Sequence, residues 1–374
     1  MNGPGRRDSR AFAAVLPGWV AARLLVLSAL MLARFLVDEL RPTVAGAAAR
    51  AEEGLLGWDA SWYARIAEHG YAALPDEGIR FFPLVPGLTR GLATITPLDE
   101  RGALVLVANA SALVLGVLLY RLARFETGDE ALARRAVWLM ALAPPAYVLV
   151  MGYTEAVGAA LAVAFFLALR TRRWGWAAAA GALAGLARPV GVLLVVPAVV
   201  EVARDWRMTR SGERWRRLGA VAAPVAGTGA YLAWVQLRFG DWLLPVRVQR
   251  RGNLRGTFAN PFTTLEGAFR DLLHGEHVGT GLHAVWAVGL VALLVVALRR
   301  WPPAYGAFAA VMLAAGLSSS NLDSLERYAL SAFPFVLAAA SLLSRGWLER
   351  FVLTLSAAAM AGYAVLVFLN TAVP

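Results

Sequence analysis

Long apolar segments separated by short arginine-rich loops are the feature that most constrains the fold of this chain. Apolar residues make up 59% of its 374 residues and charged residues only 16%, and the mean hydropathy is +0.58. A soluble domain of this length would carry more charge, whereas a membrane-spanning helix needs roughly 20 apolar residues. The sequence therefore predicts an all-α, polytopic membrane protein.

The positions of these segments predict about eleven spanning helices. Their expected bounds are 11–37, 103–122, 136–151, 154–170, 174–187, 189–203, 218–238, 282–298, 303–317, 328–343 and 351–369. Several segments are short or rich in Gly and Ala, which favours close packing between helices. Residues 81–97 contain three prolines, which interrupt helices, so we expect a bent segment that dips into the outer leaflet.

The distribution of arginine predicts the orientation of the chain. All 36 basic residues are arginine. With a cytoplasmic N-terminus, the cytoplasmic segments carry 20 arginines against 8 acids, and the outer segments carry 14 against 17. This agrees with the rule that cytoplasmic loops hold the excess of positive charge. The chain is then one membrane domain, 1–374, with two long extracytoplasmic loops at 38–102 and 239–281.

Composition also argues against several classes of function. The chain has no cysteine, so it offers neither a disulfide framework nor a thiolate metal site. Its four histidines lack the HExxH spacing of zinc hydrolases. The net charge of +11 reflects cytoplasmic loops rather than a nucleic-acid surface. The exclusive use of arginine is compatible with a GC-rich bacterial genome, so we expect a bacterial cell membrane.

The first outer loop contains a dense mixture of aromatic, acidic and basic residues at 58–71, with the sequence WDASWYARIAEHGY. At helical spacing Trp58 and Trp62 share one face, and Asp59 and Tyr63 share the neighbouring face. The pattern predicts a short interfacial helix that holds a carboxylate near the membrane edge. The alternative is an aromatic belt that contains an acid by chance.

Four further polar clusters fall on the predicted outer side. They are residues 80–86 (RFFPLVP), 152–155 (GYTE), 187–191 (ARPVG) and 321–328 (NLDSLERY). Ionisable groups at the membrane edge are costly, so Glu155 and Arg188 indicate function. Simpler alternatives are that Glu155 stabilises a helix N-terminus, that Arg188 extends to lipid headgroups, and that Glu326 and Arg327 form an ordinary loop ion pair.

The order of these motifs resembles the PIG-V family. The shared elements are Trp-Asp-x-x-Trp-Tyr, Phe-Phe-Pro-Leu-x-Pro, Gly-Tyr-Thr-Glu, Ala-Arg-Pro-x-Gly and Glu-Arg-Tyr, over roughly residues 15–345. Eukaryotic members are the second mannosyltransferase of GPI-anchor synthesis, and the family belongs to the GT-C membrane glycosyltransferases. The resemblance implies a GT-C-type multi-helix fold, an extracytoplasmic active site and a polyprenyl-phosphate sugar donor.

The resemblance assigns the catalytic acid to Asp59. Many GT-C enzymes carry an Asp-x-Asp pair there, whereas this chain has Ser61 at the third position. Chelation of a metal by that pair is therefore unavailable, and we expect a metal-independent enzyme without a cofactor. Tyr153-Thr154-Glu155 stands where eukaryotic members commonly have Tyr-Ser-Glu. Glu155 is the second candidate catalytic acid, either to orient the acceptor or to share a proton with Asp59.

The chemistry of sugar transfer suggests the other site residues. A carboxylate takes the proton of the acceptor hydroxyl, and cations stabilise the departing phosphate, for which arginine suits better than lysine. The candidates for phosphate binding are Arg188, Arg327 and the loop group Arg247, Arg250, Arg251 and Arg255. Attraction of that loop group to anionic lipids is the alternative. The aromatic candidates for sugar or acceptor binding, with belt anchoring as the alternative, are Trp58, Trp62, Tyr63, Tyr153 and Tyr328.

The leading hypothesis is thus an inverting mannosyltransferase that uses a polyprenyl-phosphate carrier and a glycan or glycoconjugate acceptor. A second hypothesis keeps the fold and replaces mannose by arabinofuranose or glucose. A third is a flippase or transporter for lipid-linked sugars. Transport is disfavoured because the acids cluster on one face and no internal repeat is evident.

Overall fold

The computed structural model describes residues 4–40, 44–208, 210–252, 254, 256–275, 278–320 and 322–373. Within these residues there are seventeen α-helices, numbered α1 to α17 in chain order. Their bounds are Pro4–Leu40, Ala47–Glu53, Asp59–His69, Leu84–Ile95, Glu100–Thr127, Glu130–Leu142, Glu155–Arg170, Trp174–Ala187, Val195–Arg204, Ser211–Phe239, Leu244–Gln249, Pro261–His274, Val278–Arg300, Pro303–Leu317, Leu325–Ser331, Pro334–Leu342 and Gly346–Phe368. The described residues form no sheet, and Phe258 and Ser319 make an isolated β-bridge. The all-α prediction is confirmed.

Each of the eleven predicted spanning segments is helical, but several are divided. In the described part of the chain, five helices are long and apolar enough to cross a membrane, namely α1, α5, α10, α13 and α17. Of the other six segments, α7, α8 and α14 are single shorter helices, and the remaining three are divided, two of them at a proline. The helix α6 ends at Leu142 and is followed by a 3-10 helix, Pro144–Leu149. Pro334 likewise begins α16 after α15 has ended, because proline lacks the N–H that would continue a helix. The polytopic prediction is confirmed.

The prediction of a bent, helix-interrupting segment at residues 81–97 was wrong. The helix α4 runs through most of this range as regular helix. Pro83 is its N-cap and Pro86 lies in its first turn. The first N–H groups of a helix have no intrahelical acceptor, so proline there removes no hydrogen bond. Pro97 lies beyond the end of α4. The loop between α1 and α5 thus contains three short helices, α2, α3 and α4, of which α3 is the helix predicted within residues 58–71. Its location at the membrane interface stays a prediction.

Small residues bring α8 and α10 into close contact. A Cβ atom added to Gly185 would lie 2.3 Å from the Pro224 carbonyl oxygen, and one added to Gly227 would lie 2.0 Å from the Ala182 carbonyl oxygen. Any larger side chain at either glycine would push the backbones apart. The expectation of close packing by Gly- and Ala-rich helices is confirmed here.

Charged groups form layers at the two ends of the helices. At one end, Arg170 binds Glu126 and Glu201, each at 2.7 Å, and the Tyr305 hydroxyl donates to Glu126 at 3.0 Å. Glu155 begins the helix that Arg170 ends. At a rise of 1.5 Å per residue the two are about 22 Å apart. The second charged layer therefore lies at the opposite end of the bundle.

Candidate functional site

Four elements that are distant in sequence bring their charged side chains together at the Glu155 end of the bundle. Asp59 begins α3, Glu155 begins α7, Arg188 directly follows α8, and Arg327 lies in α15. Arg327 Nη1 donates to Asp59 Oδ2 at 2.8 Å, and Arg327 Nε lies 3.3 Å from Glu155 Oε1. The structure thus unites the two predicted acids with two of the predicted arginines.

Arg188 lies within this cluster rather than at the lipid surface. Its Nη2 atom is 2.9 Å from Glu155 Oε1, and its Nη1 atom donates to the Ser331 hydroxyl at 3.1 Å. The residue is 7% exposed, and its side chain passes so close to Gly158 that a Cβ there would meet it at 2.9 Å. Extension to the headgroups is therefore excluded as the account of Arg188, while its role in phosphate binding stays a prediction.

Glu155 is the most enclosed member of the cluster, with 2% of the residue exposed. Its Oε1 atom faces both arginines. Its Oε2 atom is buried and has no hydrogen-bond partner among the described residues. The N-terminal position on α7 favours the negative charge, because the helix dipole is positive there. The ion pairs show that the carboxylate does more than stabilise its own helix terminus.

Asp59 is the more accessible of the two acids, with a quarter of its side chain exposed. Its Oδ2 atom is occupied by Arg327, while its Oδ1 atom lies 3.6 Å from Arg80 Nη2. Burial raises the pKa of Asp59, but Arg327, Arg80 and Arg188 together outweigh burial and lower it. The carboxylate is therefore ionised at neutral pH, and Oδ1 is the atom that can accept a proton.

Arg80 is a site residue to which sequence reasoning gave no role. It precedes Phe81 in the predicted outer cluster, which was the available signal. Two tyrosine hydroxyls bind the backbone on either side of Arg80. Tyr231 donates to the Ile79 carbonyl at 2.6 Å, and Tyr71 donates to the Phe81 carbonyl at 2.7 Å. With Arg80 included, three arginines face two carboxylates, and the site carries one positive charge in excess.

The backbone before Asp59 is constrained. Trp58 has φ +60° and ψ −130°, a conformation that a bulky residue rarely adopts. Its indole N–H donates to the Val367 carbonyl at 3.2 Å, and the Arg50 guanidinium lies 4.2 Å from its ring centre. The prediction that Trp58 lies on a face of α3 was wrong, because the helix begins only at Asp59. These contacts anchor the start of α3 and so position the Asp59 carboxylate.

The other predicted aromatic residues surround the cluster. The Tyr153 hydroxyl accepts from the Asp59 backbone N–H at 3.4 Å, and the Tyr63 hydroxyl bonds to Thr154 at 3.1 Å. Burial and the charges of the two acids raise the pKa of Tyr63. The Tyr328 ring lies 5.7 Å from the Arg188 guanidinium and 5.8 Å from that of Arg327. Trp62 stacks on Phe81. Sugar binding by these residues stays a prediction.

The predicted loop arginines lie beside the cluster rather than in it. Arg251 binds Glu77 and also Asp76, the latter at 3.6 Å. Arg250 is exposed and lines an open groove of about 420 Å³, whose floor is formed by α14 residues such as Val311 and Ala315. Arg255 and Asn321, named in the sequence analysis, lie outside the described residues.

One side chain links this groove to the charged cluster. Gln249 lines the groove, and its Oε1 atom accepts from Arg80 Nη1 at 3.4 Å. Arg80 in turn faces Asp59. In the described part of the chain, no group of three or more His, Asp or Glu side chains is arranged to hold a metal ion. The expected independence of metals stays a prediction.

Comparison with known proteins decides the family. The sequence model of glycosyltransferase family 87 matches residues 86–320, more than half of the chain. The chain belongs to glycosyltransferase family 87. The prediction of a glycosyltransferase is thus confirmed, while the match does not support the PIG-V family specifically. The assignment of the chain to the GT-C type stays a prediction. The matched range begins after Asp59 and ends before Arg327, so it assigns no role to either residue.

Two solved structures are similar to this family 87 chain. ArnT from Cupriavidus metallidurans, bound to undecaprenyl phosphate, is 18% identical, with 83% of this chain and 71% of that chain covered and a TM-score of 0.46. The Archaeoglobus fulgidus oligosaccharyltransferase in the apo form is 14% identical, with 95% of this chain and 55% of that chain covered and a TM-score of 0.47. No residue role is transferred from either protein. No curated protein matches the chain.

Proposed function

We propose that this family 87 enzyme transfers mannose from a polyprenyl-phosphate carrier to an acceptor hydroxyl, with inversion, on the extracytoplasmic side of a bacterial cell membrane. The observation that carries the proposal is the Asp59 carboxylate, which binds Arg327 and faces Arg80 at the end of the bundle where Arg188 binds Glu155. The choice of mannose rests on the motif order that resembles the PIG-V family, and the choice of side rests on the arginine distribution.

Each part of the reaction has a group of the right chemistry. The acceptor hydroxyl attacks the anomeric carbon, its proton passes to Asp59 Oδ1, and the bond from the anomeric carbon to the phosphate oxygen breaks. The phosphate leaves with additional negative charge. Arg80, Arg188 and Arg327 supply fixed positive charge and N–H donors for it. The excess positive charge of the cluster suits a phosphate, and Glu155 holds two of these arginines in place.

The groove beside Arg250 suits the donor lipid. It combines an arginine at its edge with an apolar floor on α14, as a phosphate with a polyprenyl chain requires. Gln249 and Arg80 connect the groove to Asp59. A donor in the groove would therefore bring its phosphate toward the three arginines while its chain stays against the bundle.

The proposal is tested by supplying the purified protein in lipid nanodiscs with radiolabelled polyprenyl-phosphate mannose and identifying the labelled product. Parallel reactions with polyprenyl-phosphate glucose and polyprenyl-phosphate arabinofuranose test the sugar. We expect transfer from the mannose donor alone. Transfer from either other donor instead would reject mannose, and movement of intact donor across the membrane without transfer would favour a flippase.

Opposite labelling of two single cysteines is the expected result for the topology. The chain has no native cysteine, so Ala73→Cys in the first outer loop and Ser211→Cys at the start of α10 each introduce one exposed thiol. In intact cells an impermeant maleimide should label Ala73→Cys and leave Ser211→Cys unmodified until the cells are opened. Labelling of both variants in intact cells would contradict the proposed side.

Replacement of Arg188 by lysine should weaken use of the donor about tenfold with little change in folding. Lysine retains the charge but not the two-pronged geometry with which arginine binds phosphate. The KM for polyprenyl-phosphate mannose should rise, and the melting temperature should stay close to that of the wild type. An unchanged donor KM would show that Arg188 serves only to pair with Glu155.

A further inference from the structure

A second open cavity lies beside the charged cluster and has a different chemistry from the Arg250 groove. It encloses about 520 Å³, a volume typical of small-ligand sites, between α12 and the segment before α15. The polar residues that line it are Thr263, Thr264, Asp271, Ser320 and Asp323. Of the described residues that line this cavity, none is an arginine.

A short backbone contact separates the two spaces. Phe258 and Ser319 form an antiparallel bridge, and the Ser320 N–H donates to the Thr257 carbonyl at 3.1 Å. Thr257, Phe258 and Ser319 face the Arg250 groove, whereas Ser320 faces the second cavity. The protein thus presents an arginine-edged, apolar-floored space and an acidic, hydroxyl-rich space on the two sides of one wall.

The helix α12 is built with two opposite faces. Thr263, Thr264, Gly267, Ala268 and Asp271 line the cavity, and at 100° per residue they occupy about 140° of the helix. Phe262, Phe269 and Leu273 are exposed and lie on the opposite side of the same helix. An exposed apolar face of this kind is typical of a helix at a membrane interface. The cavity is therefore placed beside the level of lipid headgroups.

The cavity is also adjacent to the charged cluster. Asp323, at its edge, precedes Arg327 by four residues, and α15 begins between them. The His283 ring bridges the two parts, with Nδ1 2.6 Å from Glu326 Oε1 and Nε2 3.7 Å from Asp323 Oδ1. A ligand held at Asp323 is thus next to the helix whose Arg327 binds Asp59.

We propose that this cavity binds the acceptor, as an uncharged, hydroxyl-rich saccharide headgroup. Carboxylates accept hydrogen bonds from sugar hydroxyls. The Thr263 and Thr264 hydroxyls donate to the Asn260 carbonyl, so toward a ligand they act as acceptors, for which a saccharide supplies many hydroxyl donors. The two aspartates would repel the phosphate of the donor, which the arginine-edged groove attracts. The inference rests on the proposed function, because it assigns the second substrate of the same reaction.

The test blocks the cavity and measures saccharide binding without the donor. Gly267 lines the cavity, and a Cβ added to it would meet no atom within 4 Å, so Gly267→Trp fills the space without disturbing the helix. The matched control is Gly229→Trp on α10, which is exposed and equally unobstructed. Asp271→Asn is a milder variant that keeps the shape of the side chain.

The probes are radiolabelled n-octyl α-mannoside, methyl α-mannoside and octylammonium, each measured on protein in nanodiscs with empty nanodiscs subtracted. We expect the octyl mannoside to bind, Gly267→Trp to weaken its binding at least tenfold, Asp271→Asn about tenfold, and Gly229→Trp not at all. Binding of methyl mannoside as well would identify a free saccharide as sufficient, and binding of the octyl compound alone would identify a lipid-linked one.

The assay with octyl mannoside as acceptor separates this proposal from the proposed function. A rise in its KM in Gly267→Trp, with an unchanged donor KM, supports the cavity as the acceptor site. Equal binding and KM in Gly267→Trp and Gly229→Trp, or binding of octylammonium in place of the mannoside, overturns it. If the wild-type protein transfers no mannose but binds the mannoside, and Gly267→Trp loses this binding, the proposed donor is rejected and the saccharide site is retained.

Discussion

Asp59→Asn is expected to lower the rate of sugar transfer about 10²- to 10⁴-fold, the usual effect of removing a general base. Asparagine keeps the size of the side chain and can still contact Arg327, so the protein should insert, purify and bind the donor lipid. The measurement is the single-turnover rate with polyprenyl-phosphate mannose, together with donor binding. A near-normal rate would show that the start of α3 is only an interfacial anchor.

Two further acids serve as controls for Asp59. Glu68→Gln changes an exposed acid on the same helix, whose ion-pair partner is the neighbouring His69, and its rate should stay within about twofold. Glu155→Gln weakens the hold on Arg188 and Arg327, so it should raise the donor KM more than it lowers the single-turnover rate. A larger rate loss in Glu155→Gln than in Asp59→Asn would transfer the role of base to Glu155.

The pH dependence follows from the direction of the Asp59 pKa. The three arginines hold that pKa below its usual value despite burial, so Asp59 stays ionised well below neutral pH. We expect no loss of transfer rate from protonation of Asp59 between pH 7 and about 5. Because the folded-state pKa is lowered, ionised Asp59 stabilises the fold above the unfolded-state pKa. This contribution disappears as pH falls through the folded-state value.

Arg327→Gln is expected to have the largest combined effect on stability and activity. Arg327 is 8% exposed and lies between Asp59 and Glu155. Its removal takes away the positive charge that Asp59 and Glu155 share, and leaves both carboxylates less neutralised in a buried site. Breaking a buried ion pair on one side costs about 3–5 kcal/mol. The melting temperature in nanodiscs should fall, and transfer should be lost even at temperatures where the variant remains folded.

The matched control is Arg172→Gln, which removes an exposed arginine from its pair with Asp205 at the other end of the bundle. An exposed pair contributes about 0–1 kcal/mol, so the melting temperature should barely change. Arg327→Lys should recover part of the stability, because it restores the charge without the two-sided geometry. Equal melting temperatures for Arg327→Gln and Arg172→Gln would contradict a buried network at the site.

Much of this architecture was predictable because it depends on local chemistry. Apolar segments long enough for a bilayer must become helices, since their backbone groups have no other partners there. A helix break precedes Pro144 and Pro334, as expected for proline. Pro17 and Pro224, in contrast, lie inside α1 and α10, and the sequence pattern alone did not reveal that Pro83 and Pro86 would open α4. Asp59 and Glu155 could be selected as candidates because carboxylates at a membrane edge are costly unless they are used.

The partners of these residues were decided by tertiary structure. Asp59 and Arg327 are 268 positions apart, and no local pattern specifies which of several arginines will reach the carboxylate. Three features of the packing determine which arginine reaches Asp59. They are the close approach of the glycine-containing helices, the breaks between helices, and the tyrosine hydroxyls that bind the backbone on either side of Arg80. The sequence by itself determined the residue types and the end of the bundle at which they lie. Only the packing of the helices decided that Arg80, Arg188 and Arg327 join the two acids. The same packing leaves Arg250 and Arg251 outside the cluster. The physical reason is that contact between distant segments depends on how whole helices fit together.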